Sequence, residues 1–382
     1  MRENVIVTSP EEKTLRNELA VRNDAEARRM EGLFVMPDLS RTEGSPIKNI
    51  IEQIAAIEDF TDFDIISVPE ITPVPIAFDF FDFALDHPAR SVSDTYYINP
   101  GHILRTQTTV AWYYYLTSER AKEKMKNKEP IGVFCYGKVY RKDEIDRKHM
   151  NVFHQLDGFY LVPKDQKEIT LKVLQDVEAN IAKQIFGEQI EFRFLTDTFP
   201  YTDPSTQIEV KFGDEWLEIL GSGVIKPSVL EKLGVDSSIY NGWAFGFGVE
   251  RWAMISMELP DIRLLWSDDE RVKKQLVLGQ KYKEVSKFPP AIRDISFIVS
   301  NNFVLNDYFD AIRDIGGDSM EEVALLDKYE NATKFGEGKM SYTFRITYRD
   351  LGKTLTSEEA NSLHKKIEEM TVKDFGGVIR ES

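Results

Sequence analysis

From Met340 to Arg349 apolar and polar side chains alternate without a break. Met340, Tyr342, Phe344, Ile346 and Tyr348 fall on one side of an extended chain, and Ser341, Thr343, Arg345, Thr347 and Arg349 on the other. A period of two over this length demands a strand with one core face and one wet face. Such a sheet needs covering, and the neighbouring segments supply it. IRDISFIVS and EEVALLDKYE have the pattern of strands, NDYFDAIRDI and SEEANSLHKKIEEM that of helices, and GGVIRE that of a last strand. Residues 291–382 therefore run βαββαβ, a ferredoxin-like order.

Upstream, Ser45-Pro46 caps a helix whose Ile47, Ile50, Ile51, Ile54 and Ile57 form one stripe. From about 60 to 255 strand-like runs are joined by short turns, with few helices between them. GVFCYGKVYRKD, NVFHQLDGFYLV, EWLEILGSGV and AFGFG are the clearest strands, and a helix is expected over about 166–187. Strands with segregated helices predict an α+β fold on an antiparallel sheet rather than a doubly wound one. The expected domains are a 1–44 extension of helix and loop, a 45–260 main domain, a charged 261–290 connection ending in Phe288-Pro289-Pro290, and the 291–382 tail.

One cysteine, Cys135, excludes an internal disulfide and a cysteine zinc cluster. No apolar run approaches the roughly eighteen residues of a membrane span. The first thirty residues mix arginines with acids, unlike a transit peptide, so a cytoplasmic protein is expected, with a mature organellar form as the alternative. The formal charge of −16 argues against coating nucleic acid, which depends on Lys and Arg displacing counterions. Residues 281–382 carry 15 basic and 18 acidic residues against 33 and 46 in residues 1–280, so a local basic face is affordable in the tail.

Strand alternation puts Val139, Arg141 and Asp143 on one face, and Phe153, Gln155 and Asp157 together on another. Such faces make poor cores and good floors for a polar site. Charges paired across two exposed strands explain them as well, and an isolated strand pair favours that plainer account. Gly246-Phe247-Gly248-Val249-Glu250-Arg251 tips the balance, because glycines where a strand turns into a helix admit a ligand to the backbone, and an arginine in the first turn can meet phosphate or a base.

Together these stretches resemble the class II aminoacyl-tRNA synthetases, and among them the single-chain, mitochondrial-like phenylalanyl type, over residues 45–382. ALDHPARSVSDTYYI (84–98) is similar to motif 1, YRKDEIDRKHMNVFHQLDGF (140–159) to motif 2 and FGFGVERWAM (245–254) to motif 3. The tail resembles the ferredoxin-fold anticodon-binding domain. The resemblance implies ATP and Mg²⁺ as cofactors, with Arg141 on the α-phosphate, Asp143 near adenine, His149 near the triphosphate, Phe153 and Arg251 on either side of the adenine ring, and Glu218 on the metal. Arg141 and Arg251 are the expected catalytic pair. It also implies Gln155 and Asp157 on the amino group of phenylalanine, Phe199 and Tyr201 lining the ring pocket, Ala244 opposite the para position, and Gln107, Thr109 and Gly246 completing the amino-acid site. Gln107, Thr109, Asp157 and Tyr201 stand where relatives usually have His, Ser, Glu and Phe. Arg345, Arg349, Lys353 and Lys365, with Lys366, are the expected contacts to tRNA.

The expected activity is phenylalanine–tRNA ligation by a monomer without a separate β subunit, acting on phenylalanine and tRNA(Phe), with the ribose 2′-hydroxyl as the implied acceptor. A noncatalytic tRNA-binding paralogue and a class II synthetase for another amino acid are the alternatives.

Overall fold

The computed structural model describes residues 2–144, 146–284, 288–350 and 352–380. Glu381, the end of the expected last strand, lies outside them.

The N-terminal segment contains more than helix and loop. Strand β1 (Asn4–Ile6) precedes α1 (Pro10–Ala20), capped by Ser9, and α2 (Ala25–Val35), capped by Asp24. Helix α3 (Pro46–Ala55) begins at the Ser45 cap and buries Ile47, Ile50, Ile51 and Ile54, each worth about 1.5–3 kcal/mol. Next come β2 (Asp64–Ser67), β3 (Ile71–Pro73), β4 (Tyr97–Asn99) and β5 (His102–Leu104). The long strands are β6 (Ile131–Tyr140) and β7 (Val152–Pro163), followed by helix α4 (Leu171–Phe186), which starts at the Thr170 cap rather than at 166. Strands β8 (Phe192–Asp197), β9 (Thr202–Phe212), β10 (Glu215–Ile225) and β11 (Tyr240–Gly248) lead into helix α5 (Val249–Met257).

Among the described residues these strands form an eight-stranded sheet, ordered β1-β2-β6-β7-β11-β10-β9-β8, and a small sheet β3-β5-β4. The large sheet is antiparallel from β6 onward, while β1 and β2 add parallel to its edge. Its two faces differ because side chains alternate along each strand. One face carries Phe134, Trp243 and Phe245, packed with Phe60 and Phe63 at ring-centroid separations such as 5.2 Å for Phe60–Phe134 and 5.1 Å for Phe63–Phe134. The opposite face presents Gln155, Asp157, Ala244 and Gly246, and it is there that functional groups gather.

The chain divides into two compact units. The first comprises Met1–Tyr140, Val152–Leu259 and Leu276–Lys281; the second comprises Arg141–Asn151, Pro260–Gln275 and Tyr282–Ser382. In the second, β12 (Ala291–Ser300), α6 (Leu305–Gly316), β13 (Met320–Glu330), β14 (Lys339–Tyr348), α7 (Ser357–Phe375) and β15 (Val378–Ile379) give the expected βαββαβ order, with sheet order β13-β14-β12-β15. Tyr342, Phe344, Ile346 and Tyr348 are buried as the alternation requires. Thr356 and Glu359 close a reciprocal capping box at the start of α7.

Candidate active site

Asp157 is buried on β7 opposite Gly246 of β11. A Cβ at position 246 would come 2.0 Å from Asp157 Oδ1, so glycine is required for the carboxylate to lie across β11. The Thr108 and Thr109 hydroxyls donate to Asp157 Oδ2 at 2.6 and 3.0 Å, and the Thr108 N–H donates to Gln155 Oε1 at 3.1 Å. Gln155 and Asp157 are thus fixed from the same short segment. Thr108 was not among the residues expected from sequence; its neighbour Thr109 was, and the adjacent hydroxyl in TQTT was the available signal. Gln107 is buried and donates to Ala77 O at 3.3 Å, in the cluster that also holds Ala244.

Beside these polar groups stands an aromatic wall. Phe199 and Tyr201 stack at 6.0 Å, and a Cβ at position 221 would meet Phe199 Cζ at 2.7 Å, so Gly221 makes room for that ring. Tyr201 meets Trp112 edge-on at 5.8 Å and Phe81 at 6.0 Å; Trp112 meets Phe159 at 5.4 Å. Ala244 belongs to the same cluster. Phe81, Trp112, Phe159 and Gly221 carried no distinguishing local pattern, since aromatic residues and glycines in strands usually serve packing.

The nucleotide-binding candidates fall in two places. Phe153 lies on β7 against Gly248, whose added Cβ would be 3.7 Å from Phe153 Cδ2. Three residues on, Arg251 donates from Nη1 to Glu218 O at 3.3 Å and stands 3.7 Å from Glu218 Oε2. Glu218 sits at a bulge in the β9–β10 ladder, and its partner is this arginine rather than the lysine that a plain strand carboxylate would suggest. Arg141, Asp143 and His149 belong instead to the second unit's Arg141–Asn151 segment. The Arg141 N–H donates to Asn151 O at 3.1 Å, closing the base of that loop. Asp143 Oδ1 accepts from the Glu144 N–H, and its carbonyl accepts from Arg313. His149 pairs with Asp146 at 2.8 Å, a hydrogen bond that raises its proton affinity above the ordinary histidine value.

Between Phe153 and Gln155, His154 is fully buried. Its N–H donates to both Glu250 oxygens, at 2.8 and 3.0 Å, and Nδ1 lies 2.6 Å from Glu250 Oε1. Nε2 faces the Leu39 N–H at 2.9 Å and Asp38 Oδ1 at 3.3 Å. Burial disfavours the ring's charge, but Glu250 and Asp38 outweigh it and lift the ring to about 9. Cys135, opposite Asp157 in register, has its thiol pushed up to about 12 by burial, which makes it inert, as its apolar strand context suggested.

In the tail, Arg345 is exposed and pairs with Asp294 at 2.8 Å, while Ser341 and Thr347 on the same side of β14 are buried. Arg349 is half-buried, donates to Phe288 O at 3.1 Å and is paired with Glu321 and Glu284. Lys353 is paired with Glu359, and Lys365 is exposed.

Residues 30–276 match the family described as tRNA synthetases class II core domain (F). The chain is a class II synthetase of the phenylalanine family. Residues 286–380 match the ferredoxin-fold anticodon binding domain. Among relatives of this synthetase, the chloroplastic/mitochondrial phenylalanine–tRNA ligase of Arabidopsis thaliana is 36% identical over 81% of the chain and 72% of the relative. The mitochondrial enzyme of Mus musculus is 34% identical over 80% and 74%, and that of Saccharomyces cerevisiae 31% over 79% and 80%. These relatives overturn the expectation of a cytoplasmic protein: they are organellar enzymes, and an N-terminal stretch that mixes arginines with acids says nothing against membership of that group. No helix among the described residues is long and apolar enough to cross a membrane.

Proposed function

We propose that this synthetase activates phenylalanine with ATP and transfers it to tRNA(Phe) as a single chain, without a separate β subunit. A carboxylate oxygen of phenylalanine attacks the α-phosphorus and pyrophosphate leaves; a ribose hydroxyl then attacks the acyl carbon and AMP leaves. The observation that carries this reading is the junction of a carboxylate with an aromatic wall. Asp157, held by Thr108 and Thr109 across Gly246, can take an ammonium group, while Phe199, Tyr201 and Ala244 can take a ring beside it.

Phe153 and Arg251 would hold adenine between an aromatic face and a guanidinium, and Arg141 would stabilise the charge developing at phosphorus. Catalysis of this kind is positioning and electrostatics, with no covalent protein intermediate. Mg²⁺ would neutralise phosphate charge, with Glu218 as its protein ligand. Among the described residues no cluster of three or more His, Cys, Asp or Glu could hold a metal ion. Arg345, Arg349, Lys353 and Lys365 are the proposed tRNA contacts.

Amino-acid-dependent ATP–pyrophosphate exchange tests the proposal. Phenylalanine should give the strongest exchange of the twenty amino acids, and Arg141→Ala should lower it at least about a hundredfold. No exchange with any amino acid in folded protein would leave a tRNA-binding paralogue, and stronger exchange with another amino acid would reassign the substrate.

A further inference from the structure

The β7–β11 ladder ends at Gln155 opposite Gly248, where β11 turns into helix α5. The next residue on β7, His154, lies past that end, and its buried N–H needs an acceptor. The Glu250 carboxylate supplies one, accepting that N–H and approaching Nδ1 of the same residue. Glu250 is buried in the first turn of α5, where a negative charge also suits the helix dipole. On the far side of the ring, Asp38 and Leu39 close Nε2.

We infer that His154 and Glu250 are a positioning pair for the nucleotide half of the reaction, setting the separation between Phe153 and Arg251. Each member is the immediate chain neighbour of one of those residues, so the pair joins the strand bearing the ring to the helix bearing the guanidinium. The inference rests on the proposed roles of Phe153 and Arg251 in holding adenine. The amino-acid half has its own supports: Thr108 bonds Gln155, and Thr108 with Thr109 bonds Asp157, none of them through Glu250. Loosening the pair should therefore act on ATP and spare phenylalanine.

Steady-state exchange kinetics on the full chain test this with His154→Leu, His154→Asn, Glu250→Gln and Arg251→Ala, alongside thermal melting of each. Asparagine can keep a donor near the Nδ1 position, and leucine cannot. The expected result for His154→Leu is a KM for ATP raised about tenfold or more, with the KM for phenylalanine within about twofold, on the scale of losing a hydrogen bond to a charged group. His154→Asn should recover most of the ATP affinity, and Glu250→Gln should fall between. Equal changes in both KM values, an unchanged KM for ATP, or no rescue by asparagine would overturn the inference. Should the leucine variant fail to fold, the asparagine and Glu250→Gln variants carry the test: a selective rise in the KM for ATP that is larger for Glu250→Gln supports the pair, and any other pattern overturns it. Arg251→Ala separates the two levels: if it leaves the KM for ATP and the rate unchanged, the adenine reading itself is wrong, whatever His154 does.

Discussion

Glu178 on α4 is buried, and its carboxyl oxygens lack a well-formed hydrogen bond, with the Ser222 hydroxyl near them. Burial pushes the group up to about 8, with Ser222 pulling weakly the other way. In the unfolded chain it ionises near 4.5, so between those values the folded state holds the extra proton and stability falls as pH rises. Glu178→Met should therefore stabilise the protein little near pH 4 and by a few kcal/mol, on the order of the shift, at pH 8.5 and above, read as a widening gap between the two melting curves. Gly246→Ala makes a different test. The added methyl meets the Asp157 carboxylate, so the KM for phenylalanine in exchange should rise at least about tenfold while that for ATP stays nearly constant. A sequence shows Gly246 where a strand turns into a helix; the 2.0 Å approach of an added Cβ to Asp157 depends on the register of the two strands.

At the scale of elements, strict alternation in β14 and the isoleucine stripe of α3 were legible because their periods match the geometry of strand and helix. The same alternation put Arg345 and Arg349 on one face; Arg345 is exposed and pairs with Asp294, whereas Arg349 is half-buried. One residue beyond the end of β14, Arg349 is drawn to the buried Glu321 and to Phe288 O, tying the start of the tail to its sheet. Arg349→Ala should cost about 2 kcal/mol and lower the melting temperature by several degrees. Lys365→Ala, on the exposed side of α7, should leave melting unchanged and weaken only tRNA binding. Calorimetry beside filter binding distinguishes the two, and a melting shift in the lysine variant would reverse these roles.

For the whole molecule, a net charge of −16 must coexist with binding a polyanion. Only local cations can release counterions, so tRNA affinity should fall as salt rises from about 50 to 200 mM, with a slope shallower than that of proteins making 6–10 phosphate contacts. Exchange with phenylalanine and ATP should change less over the same range than aminoacylation does. Parallel loss of both activities would mean that salt acts on the catalytic fold rather than on RNA encounter.

The sequence by itself determined the α+β class, the order of elements in the tail and the chemistry of the strand faces, because these follow from side-chain periods of two and 3.6 that need no partner to be read. It also carried the family motifs. Which residues act together was decided only in three dimensions. Thr108 reaches Asp157 across 49 positions and Glu250 reaches His154 across 96, and the N-terminal stretch, unremarkable as sequence, places Asp38 and Leu39 against that histidine. Pairings of this kind depend on strand register and on where a ladder runs out of partners, and no local pattern encodes either.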